Sequence, residues 1–280
     1  MRSPPFVHSP KGVTGTVHRW PPRGPVGDRV AQAGGMTGGL AGALGAARGL
    51  VLTRACAGCG APDVGLCLRC RAELAGLALG VRGPVAPSPV PPGWPGCHAT
   101  VRYEGVATRL ATAFKDEERR DLAGPLGRLL ADAVARALLA SGHARERPVL
   151  LVPVPSAAAA VRRRGDRPML LLARHAARHV GPAVEVAPVL SMVRRTADQA
   201  GLDRLGRLAN LRGAMVVPRS GRVVGRHCLI VDDVLTSGAT LSEGQRALLS
   251  AGAATVTMAA AMVTLRRSPG VHLSFRPSAD

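Results

Sequence analysis

Aromatic residues are scarce in this sequence: Phe6, Phe114, Phe275, Trp20, Trp94 and Tyr103 are the full set among 280 residues. So few rings exclude the usual single-strand nucleic-acid platform, in which successive bases stack on side chains. Lysine is scarcer still, at Lys11 and Lys115 alone, while arginine abounds. No apolar core follows the first basic residues, as a secretory signal requires, so a cytoplasmic protein is expected. No Gly-x-Ser-x-Gly elbow is present and Ser237 has no identifiable His partner, which argues against a serine hydrolase. No internal repeat is found. The longest uncharged stretch, Ala247 to Leu265, is nearly long enough to span a bilayer. Gly252 divides it, however, and Ala and Thr dominate it. It reads as a helix end at Ala247 to Ser250, a turn, and a buried strand from Ala254 to Thr264. No membrane span is expected.

What is present is strongly basic. The formal net charge is +19, which favours polyanionic partners such as phosphorylated ligands or nucleic acid. Residues 1–35 are rich in Pro, Gly and Arg without periodicity and cannot bury enough apolar surface to fold alone. They are expected to be a disordered extension, or to precede a true start at Met36.

A cysteine module occupies residues 50–79. Cys56-x-x-Cys59 and Cys67-x-x-Cys70 are two closely spaced thiolate pairs, and four thiolates satisfy tetrahedral zinc. Gly58 and Gly60 allow the tight turns of such a knuckle. Without an export signal, structural zinc is expected over two disulfides, with a redox Cys-x-x-Cys as the rival. Cys97 and Cys228 lack such neighbours, and Cys228 reads as a core strand residue. Residues 80–97 form a Pro-rich linker, and residues 266–280 a C-terminal tail.

The main domain, residues 98–265, alternates apolar strands with helices. Strands are expected near Thr100 to Tyr103, Val149 to Val154, Val184 to Val186 and Cys228 to Val231, before the last strand. Helices are expected near Val106 to Lys115, Leu122 to Leu139, Ala157 to Val180 and from Ala239. This order predicts an α/β fold, a parallel sheet with helices on both faces. Ligands of such sheets sit beyond the carboxyl ends of the strands.

The run Leu229-Ile230-Val231-Asp232-Asp233-Val234-Leu235-Thr236-Ser237-Gly238-Ala239-Thr240 is the most informative stretch. A buried strand ends in two carboxylates, which repel each other unless a cation or ligand hydroxyls share them. Gly238 allows close backbone approach, and Thr236, Ser237 and Thr240 add hydroxyls. Free N–H groups at the helix start suit a phosphate. A diol or metal clamp beside a phosphate cradle describes a ribose 5-phosphate site.

Other candidates lie apart in sequence. The strand ending in Pro153-Val154-Pro155-Ser156 precedes a basic run, Arg162-Arg163-Arg164-Gly165. The polar segment Arg194-Arg195-Thr196-Ala197-Asp198-Gln199, followed by Arg204, Arg207 and Asn210, has the donors of a lid over a departing anion. Lys115 is a single retained lysine in an arginine-using chain, at a place where a compact ammonium suits a role Arg cannot fill. His175 and His179 fit a surface helix face.

The run Leu229 to Thr240 resembles the phosphoribosyl-pyrophosphate (PRPP) signature of type I phosphoribosyltransferases. The larger set resembles the ComF-type phosphoribosyltransferases, linked to competence and DNA uptake, over residues 50–265. That set comprises the Cys pairs, Tyr103-Glu104-Gly105, Phe114-Lys115, Pro153-Val154-Pro155, Arg164-Gly165, Arg195-x-Thr-x-x-Gln199, Arg207-x-x-Asn210 and Asp232-Asp233. The resemblance implies a type I phosphoribosyltransferase-like domain behind a zinc module, with PRPP and Mg2+ bound and an unknown acceptor. Asp232 and Asp233 would hold the ribose hydroxyls, while Val234 to Thr240 would wrap the 5-phosphate. Ser156 and Arg164 would meet the pyrophosphate, and Arg194, Arg195 and Lys115 would serve the transfer. One departure stands out: Asp166-Arg167-Pro168 replaces the Phe-Asn-Gln usual after Arg164-Gly165, which removes two amide side chains. The alternative is a catalytically silent competence factor that binds PRPP or single-stranded DNA.

Overall fold

The structure is a computed structural model that describes residues 55–62, 64–80, 83–142, 148–155, 167–193 and 211–265. The N-terminal extension, the C-terminal tail, Ser156, Arg162 to Arg164 and Arg194 to Asn210 lie outside the described residues.

Helix α1 (Leu68–Gly76) follows the first three cysteines. Strand β1 (Cys97–Arg102) leads to α2 (Val106–Asp116), a short 3-10 turn and α3 (Ala123–Ser141). Then come β2 (Val149–Pro153), α4 (Pro168–Val180), β3 (Val184–Val186), β4 (Ser191–Met192) and β5 (Met215–Val216). Strand β6 (His227–Leu235), α5 (Ala239–Ser250) and β7 (Thr255–Val263) complete the order.

Five strands form one sheet in the order β1-β7-β6-β2-β3, every pair parallel. Crossovers β1-to-β2 and β2-to-β3 run one way along the sheet and β6-to-β7 runs the other. Right-handed crossovers therefore place α3 and α4 on one face and α5 on the opposite face. The central strands read as continuous apolar runs because both faces are covered: Leu150 to Val152 and Cys228 to Val231 are almost fully buried. The chain reverses winding direction between β6 and β2, and a crevice opens there at the strands' carboxyl ends.

Two expectations from the sequence need correction. The helix expected from Ala157 to Val180 is not continuous: it is broken at Arg167, in extended conformation, and α4 begins at Pro168, while residues 157–166 lie outside the described residues. Proline cannot donate to a helical carbonyl and restricts the residue before it, so it marks a first turn. Strand β6, expected to end at Val231, continues through the Asp pair to Leu235 because β7 goes on pairing with it, up to Leu235 with Val263. Its other neighbour, β2, stops at Pro153 opposite Val231. The carboxylates thus lie on a strand that has just lost one partner. An antiparallel hairpin, β4 with β5, was not foreseen.

The Pro-rich segment at 83–96 packs against the sheet. Val85 and Cys97 exchange backbone hydrogen bonds, and the buried Trp94 donates its Nε1–H to the Val85 carbonyl at 3.3 Å. Among the described residues no helix is long and apolar enough to cross a membrane.

Helices α3 and α4 meet closely at Gly127, where an added Cβ would collide with the Cβ of His175. Gly127→Ala is expected to destabilise the fold by about 1–3 kcal/mol through overpacking. Thermal unfolding checks this; an unchanged midpoint would mean that the helices separate freely.

Candidate functional site: a carboxylate pair at the sheet crevice

A cavity of about 330 Å³ lies at the crevice, lined by Tyr103, Lys115, Val154, Pro155, Met169, Asp232, Asp233, Val234, Thr236 and Thr240. Five elements converge on it. Strand β6 supplies the carboxylates, the end of β2 supplies Val154 and Pro155, α2 supplies Lys115, the first turn of α4 supplies Met169, and the start of α5 supplies Thr240.

Adjacent carboxylates at a desolvated strand end cannot both ionise cheaply. Burial, reinforced by the charge of Asp233, pushes Asp232 up to about 8. The neighbouring ammonium opposes that rise: Lys115 Nζ lies 2.6 Å from Asp233 Oδ2. Burial works against the Lys115 charge, but Asp233 and Asp232 outweigh it and hold its pKa above the ordinary lysine value. Asp232 Oδ1 also accepts the backbone N–H of Asp233 at 2.9 Å.

The loop beyond β6 is preshaped. Gly238 sits in the left-handed region at φ +75°, and no side chain caps α5. The Ser237 hydroxyl accepts the Ala239 N–H at 3.4 Å. The helix is twelve residues long and its second residue, Thr240, lines the cavity; first-turn N–H groups of such a helix suit an anion. The loop is backed from behind. A Cβ on Gly238 would stand 2.9 Å from both the Trp94 ring and Pro87, and Gln245 donates to the Gly93 carbonyl at 3.1 Å.

The structure therefore brings Asp232, Asp233, Val234, Thr236, Thr240 and Lys115 to one cavity. Leu235, Ser237 and Ala239 are buried, so Leu235 and Ala239 could offer a ligand main chain only. Ser156, Arg164, Arg194 and Arg195 lie outside the described residues. The hairpin flanking the last two is anchored nearby, since Met192, Leu211 and Ala214 pack against Ala239.

Sequence reasoning assigned no site role to Val154, Pro155 or Met169. It also missed Glu243, a buried carboxylate that accepts the Met215 N–H at 2.9 Å and two bonds from Arg246, at 2.9 and 2.7 Å. Burial works against its charge, but these partners hold it below the usual carboxylate range. It fixes α5 to β5. Only the Glu-x-x-Arg spacing could have signalled it.

The four cysteines of the N-terminal module also converge. Their Sγ atoms lie within 4.8 Å of one another, with Cys59 and Cys67 at 3.6 Å. A tetrahedral zinc with bonds of about 2.3 Å needs sulfurs roughly 3.8 Å apart, so the set fits that ion. Burial raises the Cys56 pKa, but the N–H groups of Cys67 and Gly58, 3.3 and 3.4 Å from its sulfur, help bring it down to about 6. Its thiolate is ready for a cation. Burial pushes the Cys70 thiol upward.

Two predictions follow from this geometry. A carboxyl whose folded pKa lies above its unfolded value of about 3.9 loses stability as pH rises from that value through the folded one. Asp232→Asn should thus gain on the wild type in unfolding midpoint between pH 5 and pH 8; a constant difference would contradict a raised pKa. Cys56→Ser should lower bound zinc, measured by atomic emission on the native protein. Unchanged zinc content would remove the metal reading.

Comparison with known proteins agrees with the geometry. Residues 127–272 match the family described as phosphoribosyl transferase domain. The chain is 34% identical over 166 residues to the DNA utilization protein YhgH of Salmonella typhimurium, covering 59% of this chain and 71% of the relative. The namesake in Escherichia coli K12 is 32% identical over 166 residues, with the same coverage. Among solved structures, the HGPRT-ase of Leishmania tarentolae in complex with GMP matches at 19% identity and TM-score 0.29, over 51% of this chain and 67% of that one. An allosteric regulatory enzyme of purine biosynthesis matches at 18% identity and TM-score 0.33, over 51% and 26%. With a parallel sheet, a carboxylate pair at its crevice and a four-cysteine cluster beside it, the chain belongs to the phosphoribosyl transferase domain family as a ComF-type member.

Proposed function

We propose that the crevice binds PRPP with Mg2+ and that the protein transfers its phosphoribosyl group to an acceptor still unknown. The observation that supports this most is the placement of Asp232 and Asp233 beside the uncapped start of α5, in one cavity with Lys115.

Asp232 and Asp233 would accept hydrogen bonds from the ribose 2′- and 3′-hydroxyls, which share the charge that the pair otherwise concentrates. Thr236 and Thr240, with the main chain of Ser237 to Thr240, would hold the 5-phosphate. Mg2+ would be held near Asp232 and Asp233 and would supply positive charge against the leaving group. Lys115 pairs with Asp233 and would add positive charge on the wall from which pyrophosphate departs. Ser156, Arg164, Arg194 and Arg195 are assigned to the pyrophosphate by resemblance alone. Structural zinc on Cys56, Cys59, Cys67 and Cys70 is part of the same reading.

A second reading is a factor that binds PRPP or single-stranded DNA without turnover. It draws on the departure at Asp166-Arg167-Pro168, on the apolar Met169 that lines the cavity just after it, and on the DNA-utilization name of the relatives. A DNA-binding form should weaken steeply as salt rises.

The test is calorimetric titration of Mg·PRPP into the full chain and into the double variant Asp232→Asn, Asp233→Asn. Binding by the wild type and none by a folded double variant is expected. Equal binding by both would overturn the assignment of the ribose site. Pyrophosphate release across an acceptor panel separates the two readings.

A further inference from the structure

The cysteine module grips both ends of α2, and its last residues bond to β1, with the Leu79 N–H donating to the Thr100 carbonyl at 3.0 Å and the Arg102 N–H to the Leu77 carbonyl at 2.9 Å. At the first turn of α2, Glu73 of α1 accepts the backbone N–H of Val106 at 3.0 Å and the Arg109 guanidinium at 3.3 Å. Glycine 105, which precedes the helix, supplies no side-chain cap, so Glu73 takes over a cap's work from another helix. Arg109 also donates its Nε–H to the Gly58 carbonyl at 2.5 Å, between Cys56 and Cys59. Glu73 stands three residues past Cys70. One arginine thus joins the two cysteine pairs through α2.

Just past the helix's other end, Arg119 donates to the Ala55 carbonyl at 2.9 Å and the Gly65 carbonyl at 3.4 Å. Asp121 fixes that guanidinium with two bonds of 2.9 Å. The packing is equally close: a Cβ on Gly58 would stand 2.5 Å from Cys70 Sγ and 2.8 Å from Val106 Cγ2. The cargo of α2 at the crevice is Lys115, in its last turn.

We propose that Glu73 and Arg109 are positioning residues: acting through α2 they set Lys115 against Asp233, and so link metal occupancy of the four cysteines to ligand binding in the crevice. The inner face of α2, from Val106 to Phe114, is buried in the common core. That core also takes in Cys56, Leu66, Cys70 and Leu74 of the module, so the module helps to set the seat of α2. A cation shared by the four sulfurs would hold their arrangement together. Losing it frees the Gly58 carbonyl and the start of α1, the two supports that Arg109 and Glu73 use. Linkage requires the converse: a ligand that favours the seated Lys115 tightens the metal site by the same factor.

The inference rests on the PRPP reading, and its test uses the zinc-loaded full chain with two readouts. The first is a cycle of Glu73→Gln, Lys115→Met and their combination, titrated with Mg·PRPP. Glu73→Gln should weaken binding about fivefold or more, within the usual span of coupling, and should have no further effect once Lys115 is Met. The second readout needs no ligand. The chain has only Lys11 and Lys115 as lysines, so the ε-methylene NMR signal lost in Lys115→Met identifies Lys115. In Glu73→Gln that signal should move toward the position of an unpaired lysine. Where Glu73→Gln does not fold, Arg109→Gln, which lacks the guanidinium that spans Gly58 and Glu73 and adds no third lysine, repeats both measurements. In the wild type, Mg·PRPP should slow zinc transfer to a chelator, and in Lys115→Met it should not.

Equal loss of affinity in both backgrounds, or an unmoved Lys115 signal, would overturn the proposal and leave Glu73 a purely structural group. A wild type that ignores Mg·PRPP would sink the PRPP reading alone, and the Lys115 signal would still decide the positioning role.

Discussion

Two neighbouring carboxylates on a strand that has lost one partner are the constraint from which the rest of this structure is explained. Asp232 and Asp233 follow a fully apolar run, so the chain delivers two negative charges to the edge of its own core. Unrelieved, that arrangement is unfavourable, because burial and like charge both disfavour ionisation. Among the described residues, relief comes from the ammonium of Lys115. It has to arrive from a helix rooted at the far edge strand β1, across β7. The accuracy of α2 therefore bears on the crevice, and the cysteine module is the element that holds α2.

Support converges on the loop after β6 in the same way. The left-handed turn at Gly238 is roofed by Trp94 and Pro87 from the Pro-rich segment. The helix beyond it is tied down by Glu243 and Arg246 to the base of the β4–β5 hairpin. Each tie comes from a stretch that carries no ligand contact of its own. A site made of strand ends and loops needs such backing, since loop positions are set by the scaffold under them.

Much of this was legible in the chain. The apolar runs at Leu150 and Leu229 announced buried parallel strands, and the run from Asp232 to Thr240 marked the stretch whose Asp232, Asp233, Thr236 and Thr240 meet at one cavity. The cysteine spacing announced a metal set, and one lysine among many arginines drew notice to Lys115. The partner of Lys115 was not legible. The pairing with Asp233 spans 118 positions of sequence and depends on how strands far apart in order become neighbours. The length of β6 was misjudged for a related reason, because a strand ends where its partner does and the partner is β7. Pro168 did carry its signal, and the helix expected to run through it overlooked what proline does to the preceding turn. The proline-rich stretch before β1 read as a linker by composition, although its Trp94 found a burial site that composition cannot reveal.

The most direct test of the account is calorimetry of Mg·PRPP binding at pH 7.5, repeated in buffers of different ionisation enthalpy, for the wild type and Asp232→Asn. The account predicts that binding expels a proton in the wild type, because a carboxyl held up to about 8 must ionise to accept the ribose hydroxyls. It predicts no such release in the variant. Binding without proton release, or with the same release from both proteins, would contradict it.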